Sequence, residues 1–100
     1  AFDLNGIISN LLDNAIKVVQ LLPVEYEKTI YLAMRYTRGL LFIAVENPYT
    51  AAAQQAAKAK GHGLGLKSVQ MAVEKYGGSL NFDSQQQLFR VEIILYEERM

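Results

Sequence analysis

Three glycines stand at alternate positions in the run Gly61-His62-Gly63-Leu64-Gly65-Leu66, and an apolar helical pattern follows at once. Glycine lets the backbone approach a ligand closely and adopt φ > 0. The N-terminus of a helix presents unpaired N–H groups and partial positive charge. A glycine-rich loop that leads into a helix can therefore hold phosphate groups. The same residues also fit a helix that is merely entered through a flexible loop.

A second polar group lies on the first predicted helix. Asn10, Asn14 and Lys17 fall within roughly 60° of one another on the helical wheel, at the border of the apolar stripe. Asparagine is unfavourable inside a helix, so the presence of both Asn10 and Asn14 calls for an explanation. Amide oxygens can coordinate a hard cation such as Mg²⁺, and a lysine one turn later can reach an anion. The alternative is that both amides hydrogen-bond to neighbouring loops.

A third candidate is Asn47, which follows a nearly continuous apolar strand and precedes Pro48. A polar residue at the tip of such a strand is well placed to face a ligand. It is equally an ordinary turn residue, and its spacing alone favours the turn.

Composition limits the classes of function. One hundred residues suit a single small domain, which we expect to be a fragment of a longer protein because the chain begins at Ala1. The net charge of zero gives no argument for nucleic acid or an acidic membrane surface. The absence of cysteine excludes disulfides and thiolate metal sites. No apolar run approaches the length of a membrane span.

Hydrophobic periodicity predicts two helices and two strand pairs. The helices are expected over residues 4–22 and 64–76, and the strands over residues 29–36, 40–46, 79–83 and 88–96. The alanine-rich segment 51–60 is expected to be a mobile connection, partly helical at most, or alternatively a lid over a ligand. Paired strands between helices indicate an α+β sandwich rather than a doubly wound parallel sheet.

Two of these stretches resemble motifs of one family. Residues 8–17 resemble the N box of the histidine-kinase ATP-binding domain, and residues 61–69 resemble its second glycine box. The chain is similar to the GHKL superfamily over nearly all its length. It is most similar to bacterial sensor kinases of the quorum-sensing and citrate-sensor type, whose shortened first glycine box often reads like Val45-Glu46-Asn47. This implies a two-layer sandwich, with helices on one face of a mixed, largely antiparallel sheet.

The resemblance also implies roles for individual residues. Asn14 would be the Mg²⁺ ligand, Asn10 would face the phosphates and the metal, and Lys17 would approach the terminal phosphate. The glycine box (Gly61, His62, Gly63, Leu64, Gly65 and Leu66) would hold the phosphate chain of ATP. Asn47 stands where the family usually has an aspartate that accepts a hydrogen bond from the adenine amine.

The sequence departs from the family pattern at the adenine end. Asn47 can still accept a hydrogen bond, but without the help of a negative charge. Pro48, Tyr49 and Thr50 replace the glycine-rich remainder of the first box. Leu88 stands about where relatives often carry a small hydroxyl residue next to adenine. We therefore expect the contacts to adenine to differ more than those to phosphate.

Asn10 distinguishes two branches of the superfamily. The hydrolytic members place a glutamate there as general base, whereas an amide cannot take up a proton at neutral pH. A nucleophilic histidine acceptor does not need such a base, so Asn10 favours a kinase over an autonomous ATPase. The one histidine, His62, lies in the glycine box and is expected to be a loop residue near the phosphates. The phosphoacceptor is then expected outside this chain.

The leading hypothesis is the catalytic domain of a sensor histidine kinase. It would bind Mg²⁺–ATP and transfer the γ-phosphate to a histidine on a separate dimerisation domain, with a response regulator downstream. The domain is expected in the cytoplasm as part of a membrane-anchored sensor, without contacting membrane or nucleic acid itself. The alternative is a docking or regulatory module of the same fold, in which nucleotide binding has been impaired.

Overall fold

The computed structural model describes residues 4–59 and 64–96, with the side chains of 59 and 64–66 excepted. The elements are α1 (Leu4–Gln20), β1 (Tyr31–Thr37), β2 (Leu40–Pro48), α2 (Ala51–Ala59), α3 (Leu64–Lys75), β3 (Ser79–Gln85) and β4 (Leu88–Tyr96). Within these ranges, no helix is long and apolar enough to cross a membrane.

The four strands form one sheet in the order β1-β2-β4-β3, and each of the three pairings is antiparallel. The two central strands therefore come from the two different hairpins of the chain. Helices α1 and α3 pack on one face of this sheet. The predicted two-layer α+β sandwich is confirmed.

The core forms where the alternate residues of the central strands meet the helices. Because side chains alternate across a strand, one face of β2 and β4 is apolar and buried. Ile43 and Ile93 pair directly across these strands, and both are 0% exposed. Ile7 of α1 and Val69 of α3 belong to the same buried cluster. The hydrophobic effect acting on this surface fixes how the helices sit on the sheet.

The opposite face of the sheet carries an ion-pair network. Arg90 on β4 donates a hydrogen bond from Nε to Glu92 Oε2 at 2.7 Å, and its guanidinium lies 3.5 Å from Glu46 Oε2 on β2. The hydrogen bond to Glu92 raises the pKa of Arg90. Partly exposed pairs of this kind contribute little to stability, and of these two the Arg90–Glu46 pair joins the two central strands.

The segment expected to be a connection is instead helix α2. Thr50 caps this helix, because its Oγ1 accepts a hydrogen bond from the Ala53 N–H at 3.0 Å. Ala53 and Ala57 are buried against Val18 and Leu22, near the end of α1. Nine residues form a marginal helix in isolation, and tertiary packing of the alanine face supplies the missing stability.

Other boundaries also differ from the prediction, since β1 spans Tyr31–Thr37, α3 ends at Lys75 and β3 ends at Gln85. Helix α1 ends at Gln20 rather than at residue 22, because the following turn is closed by shorter i→i−3 bonds such as Leu21 N–H to Val18 O. Strand β2 continues to Pro48, because Asn47 and Pro48 still pair with β4.

Helix α3 is followed by Gly77 and Gly78, and glycine is needed at each position for a different structural reason. The Gly78 N–H donates to Val73 O at 2.9 Å and the Gly77 N–H to Glu74 O at 3.0 Å, which together form a Schellman motif. Gly77 has φ of 70°, in the region that favours glycine. Gly78 has no room for a Cβ, which would collide with the backbone oxygen of Ile94.

We predict that Gly78→Ala destabilises the domain by roughly 1–3 kcal/mol, because the new methyl group must displace the backbone of β4. Chemical denaturation followed by circular dichroism measures this change. Ser79→Ala, at the exposed next position, is the matched control and should change the free energy of unfolding by less than about 0.5 kcal/mol. Equal stability of Gly78→Ala and the parent chain would contradict the steric argument.

Candidate functional site

A cavity of about 240 Å³ lies between α1, α2 and the strands β3 and β4. Four secondary-structure elements contribute to it, so its shape depends on tertiary packing. The residues that line it are Asn14, Val18, Gln54, Ala57, Lys58, Phe82 and Phe89.

Its lining combines apolar surface with a few polar groups. Val18 and Ala57 are buried and form an apolar base, and the amides of Asn14 and Gln54 are half-buried beside them. Lys58 is exposed at the end of α2 and supplies the positive charge among the lining residues. Apolar walls with few convergent polar groups are typical of small-molecule sites. Amides together with an ammonium group favour a ligand that carries negative charge.

Aromatic rings extend from the base of α2 to the edge of the sheet. Tyr49 meets Phe89 edge-on, with ring centroids 6.1 Å apart. Phe89 in turn stacks on Phe82, at 5.9 Å and an interplanar angle of 22°. The Tyr49 N–H donates to Gln87 O at 2.9 Å, which extends the β2–β4 pairing past Pro48. These contacts give the β-sheet side of the cavity a defined aromatic wall.

The residues predicted from the first helix have different positions relative to the cavity. Asn14 lines it. Asn10 and Lys17 are half-buried on the same helix, one turn before and almost one turn after Asn14, but they are not among the described lining residues. The structure thus brings Asn14 to the site and leaves Asn10 and Lys17 next to it.

Asn47 is the one polar residue among the buried side chains of the described chain, with 2% exposure. Its Nδ2 donates to the carbonyl oxygen of Pro48 at 2.8 Å. It pairs with Phe89 across the β2–β4 ladder, yet it does not belong to the described lining of the cavity. Its amide is therefore enclosed in the protein rather than presented to the cavity.

The predictions for the second glycine box can be compared only in part. Gly61, His62 and Gly63 lie outside the described residues. Leu64, Gly65 and Leu66 form the first turn of α3, as expected for a helix that begins within the box. Leu88, which was expected near adenine, pairs with Pro48 on the face of the sheet that points away from the cavity. Phe89 takes the inward position instead.

A divalent metal ion fits the polar end of the cavity only if its other ligands come from the substrate. The described residues contain no cluster of three or more His, Cys, Asp or Glu side chains. Mg²⁺ usually keeps several waters and binds through one or two protein groups plus phosphate oxygens. The Asn14 amide is a suitable protein ligand of this kind.

Comparison with protein-family models matches residues 1–96 to the GHKL domain. The chain belongs to the GHKL family. A comparison with curated proteins found no match. Membership in the family indicates that the domain binds ATP. The cavity beside Asn14 has room for part of a nucleotide.

Sequence reasoning missed most of the lining of the cavity beside Asn14. Gln54 and Lys58 lie four residues apart on α2, which was not expected to be a full helix. Phe82 and Phe89 were assigned to the sheet, but the pairing of β3 with β4 brings them together at the cavity. A usable signal was present, since both aromatic residues occupy the inward-facing alternation of their strands.

We predict that Ala57→Glu detaches α2 from the domain, because a carboxylate would be buried without a partner among Val18, Val19 and Leu22. The helix can avoid this cost by local unfolding. Hydrogen exchange should become fast for amides of α2 and stay slow for β2 and β4. Gln55→Glu, at an exposed position on the same helix, is the matched control. Slow exchange of α2 in Ala57→Glu would contradict the packing argument.

Proposed function

We propose that this GHKL domain binds Mg²⁺–ATP beside Asn14 and donates the γ-phosphate to a histidine of a separate dimerisation domain. The observation that supports this most directly is the position of Asn14. It lies in the N-box-like run of α1, and it is half-buried at the wall of the cavity. Membership in the GHKL family independently supports the binding of a nucleotide.

The roles of the site residues follow from their chemistry. Asn14 holds the metal through its amide oxygen, which leaves most coordination positions to phosphate and water. Bound Mg²⁺ neutralises charge on the phosphates. Lys17, almost one turn along α1, approaches the terminal phosphate and adds positive charge. The glycine box from Gly61 to Leu66 contributes backbone N–H groups to the phosphate chain. Catalysis is then positioning and charge neutralisation.

Asn10 supports a kinase rather than a self-contained ATPase. It precedes Asn14 by one helical turn on α1 and is half-buried. A water nucleophile needs a base, and the amide cannot accept its proton. A histidine acceptor is itself nucleophilic and does not need that base. The domain therefore holds ATP without hydrolysing it until the acceptor histidine arrives.

We place the domain within a two-component signalling protein of the quorum-sensing or citrate-sensor type. The acceptor histidine then belongs to a helical dimerisation domain of the same or a partner protein. A response regulator takes the phosphoryl group downstream. In this proposal the domain works in the cytoplasm and is part of a longer, membrane-anchored kinase.

One observation favours a second candidate, a docking module with impaired nucleotide binding. Asn47 stands at the family's adenine-contacting position, but it is enclosed and its Nδ2 is bonded to Pro48. If this burial keeps the Asn47 Oδ1 from the adenine amine, the domain would keep its fold and lose the nucleotide. A titration of the chain with Mg²⁺–ATP separates the two candidates.

We predict that Asn14→Ala weakens binding of Mg²⁺–ATP by tenfold or more, a loss on the order of 1.4 kcal/mol, because the metal loses its protein ligand. Isothermal calorimetry measures it, with and without Mg²⁺. Alanine is favourable in helices, so the variant should keep its fold. Asn5→Ala is the control, since Asn5 is exposed and lies on the opposite side of α1. No saturable binding by the parent chain at millimolar nucleotide would support the docking module.

We also predict that the chain alone releases no more than one equivalent of inorganic phosphate from Mg²⁺–ATP, because Asn10 cannot activate water. A coupled phosphate assay over several hours measures this. Sustained turnover by the isolated chain would favour an autonomous ATPase over the kinase.

A further inference from the structure

Phe82 occupies an unusual place for a large aromatic side chain. It lies on the edge strand β3, on the same face of the sheet as the buried core, but it is 50% exposed. Single exposed apolar residues are common and need no explanation by themselves. Phe82 differs because it lines the cavity that also contains Asn14.

The ring of Phe82 is held by its neighbours. It stacks on Phe89, which is half-buried and is braced edge-on by Tyr49. Phe89 is itself anchored by its pairing with Asn47 in the β2–β4 ladder. The surface of Phe82 that Phe89 leaves uncovered is therefore presented in a fixed orientation, at little further cost in conformational entropy.

Few polar side chains in the described lining can hydrogen-bond to a base. Asn47 is only 2% exposed, so little of its amide is open to a ligand. The polar side chains that line the cavity are Asn14, Gln54 and Lys58, of which Asn14 and Lys58 suit metal and phosphate. The ring face of Phe82 can bind a purine, because bases stack on aromatic side chains without needing hydrogen bonds.

We propose that Phe82 is the stacking platform for the base of the bound nucleotide, and that it contributes base affinity that does not depend on a hydrogen bond to Asn47. This inference rests on the proposed nucleotide binding. Phe82 is a positioning residue for the purine ring. Its contribution applies to nucleotides and not to a ligand that consists of phosphates alone.

The absence of tryptophan from the chain allows a direct test. Phe82→Trp introduces a single indole, and a stacked purine should quench its fluorescence saturably during titration with Mg²⁺–ATP. Mg²⁺–tripolyphosphate, which has no base, should leave the emission nearly unchanged. Tyr31→Trp is the matched control because Tyr31 is aromatic, 58% exposed and on the opposite edge strand β1. Its emission should not respond to either ligand.

Affinities of two further variants complete the test. Phe82→Ala and Phe82→Leu should each bind Mg²⁺–ATP about tenfold more weakly than the parent chain, as expected when one base–aromatic stack is lost. Both should bind Mg²⁺–tripolyphosphate as the parent does. Phe82→Leu retains apolar bulk on the edge strand, so it keeps the test valid if Phe82→Ala does not fold.

The outcomes separate the two proposals. If the parent chain binds Mg²⁺–ATP but Phe82→Leu binds it equally tightly, the stacking role is wrong and the nucleotide site stands. Loss of tripolyphosphate binding in the Phe82 variants would also overturn stacking, because it would show a general structural effect. If the parent chain does not bind Mg²⁺–ATP, the proposed function itself fails.

Discussion

The burial of one face of β2 and β4 against α1 and α3 is the constraint on which the rest of the domain depends. Ile43 and Ile93 meet at the centre of that face and exclude water completely. Because the apolar stripe of α1 must point at them, the rotation of the helix about its axis is set. The edge of α1 that carries Asn14 is thereby turned towards α2 and the outer strand β3.

The cavity exists because a second, smaller apolar cluster lies beside this core. Ala53 and Ala57 pack α2 closely on the end of α1, and larger residues at these two positions would hold the helix further away. The space that remains between α2 and the sheet is the cavity. It is polar at Asn14 and aromatic at Phe82 and Phe89, so opposite parts of one ligand meet different chemistry. This division suits a nucleotide, whose phosphates and base differ in the same way.

Local sequence patterns were sufficient to predict much of the fold. The limits of β4, the turn after α3 and the two-layer arrangement follow from strand alternation, helical periodicity and paired glycines, which act over a few residues. The position of Asn14 at the border of the apolar stripe likewise follows from helical spacing alone. Helix α2 could not be predicted in this way, because an alanine-rich segment is only marginally helical unless it packs against another surface.

The sequence by itself determined which residues of β4 face the core, and the N-box-like and glycine-rich runs pointed to the GHKL family that residues 1–96 match. Only the tertiary structure decided what surrounds Asn14. The pairing of β3 with β4 places Phe82 against Phe89, and the pairing of β2 with β4 encloses Asn47 next to that same ring. These contacts join segments that are distant along the chain. They depend on strand order and helix packing, which hydrophobic periodicity within one segment does not encode.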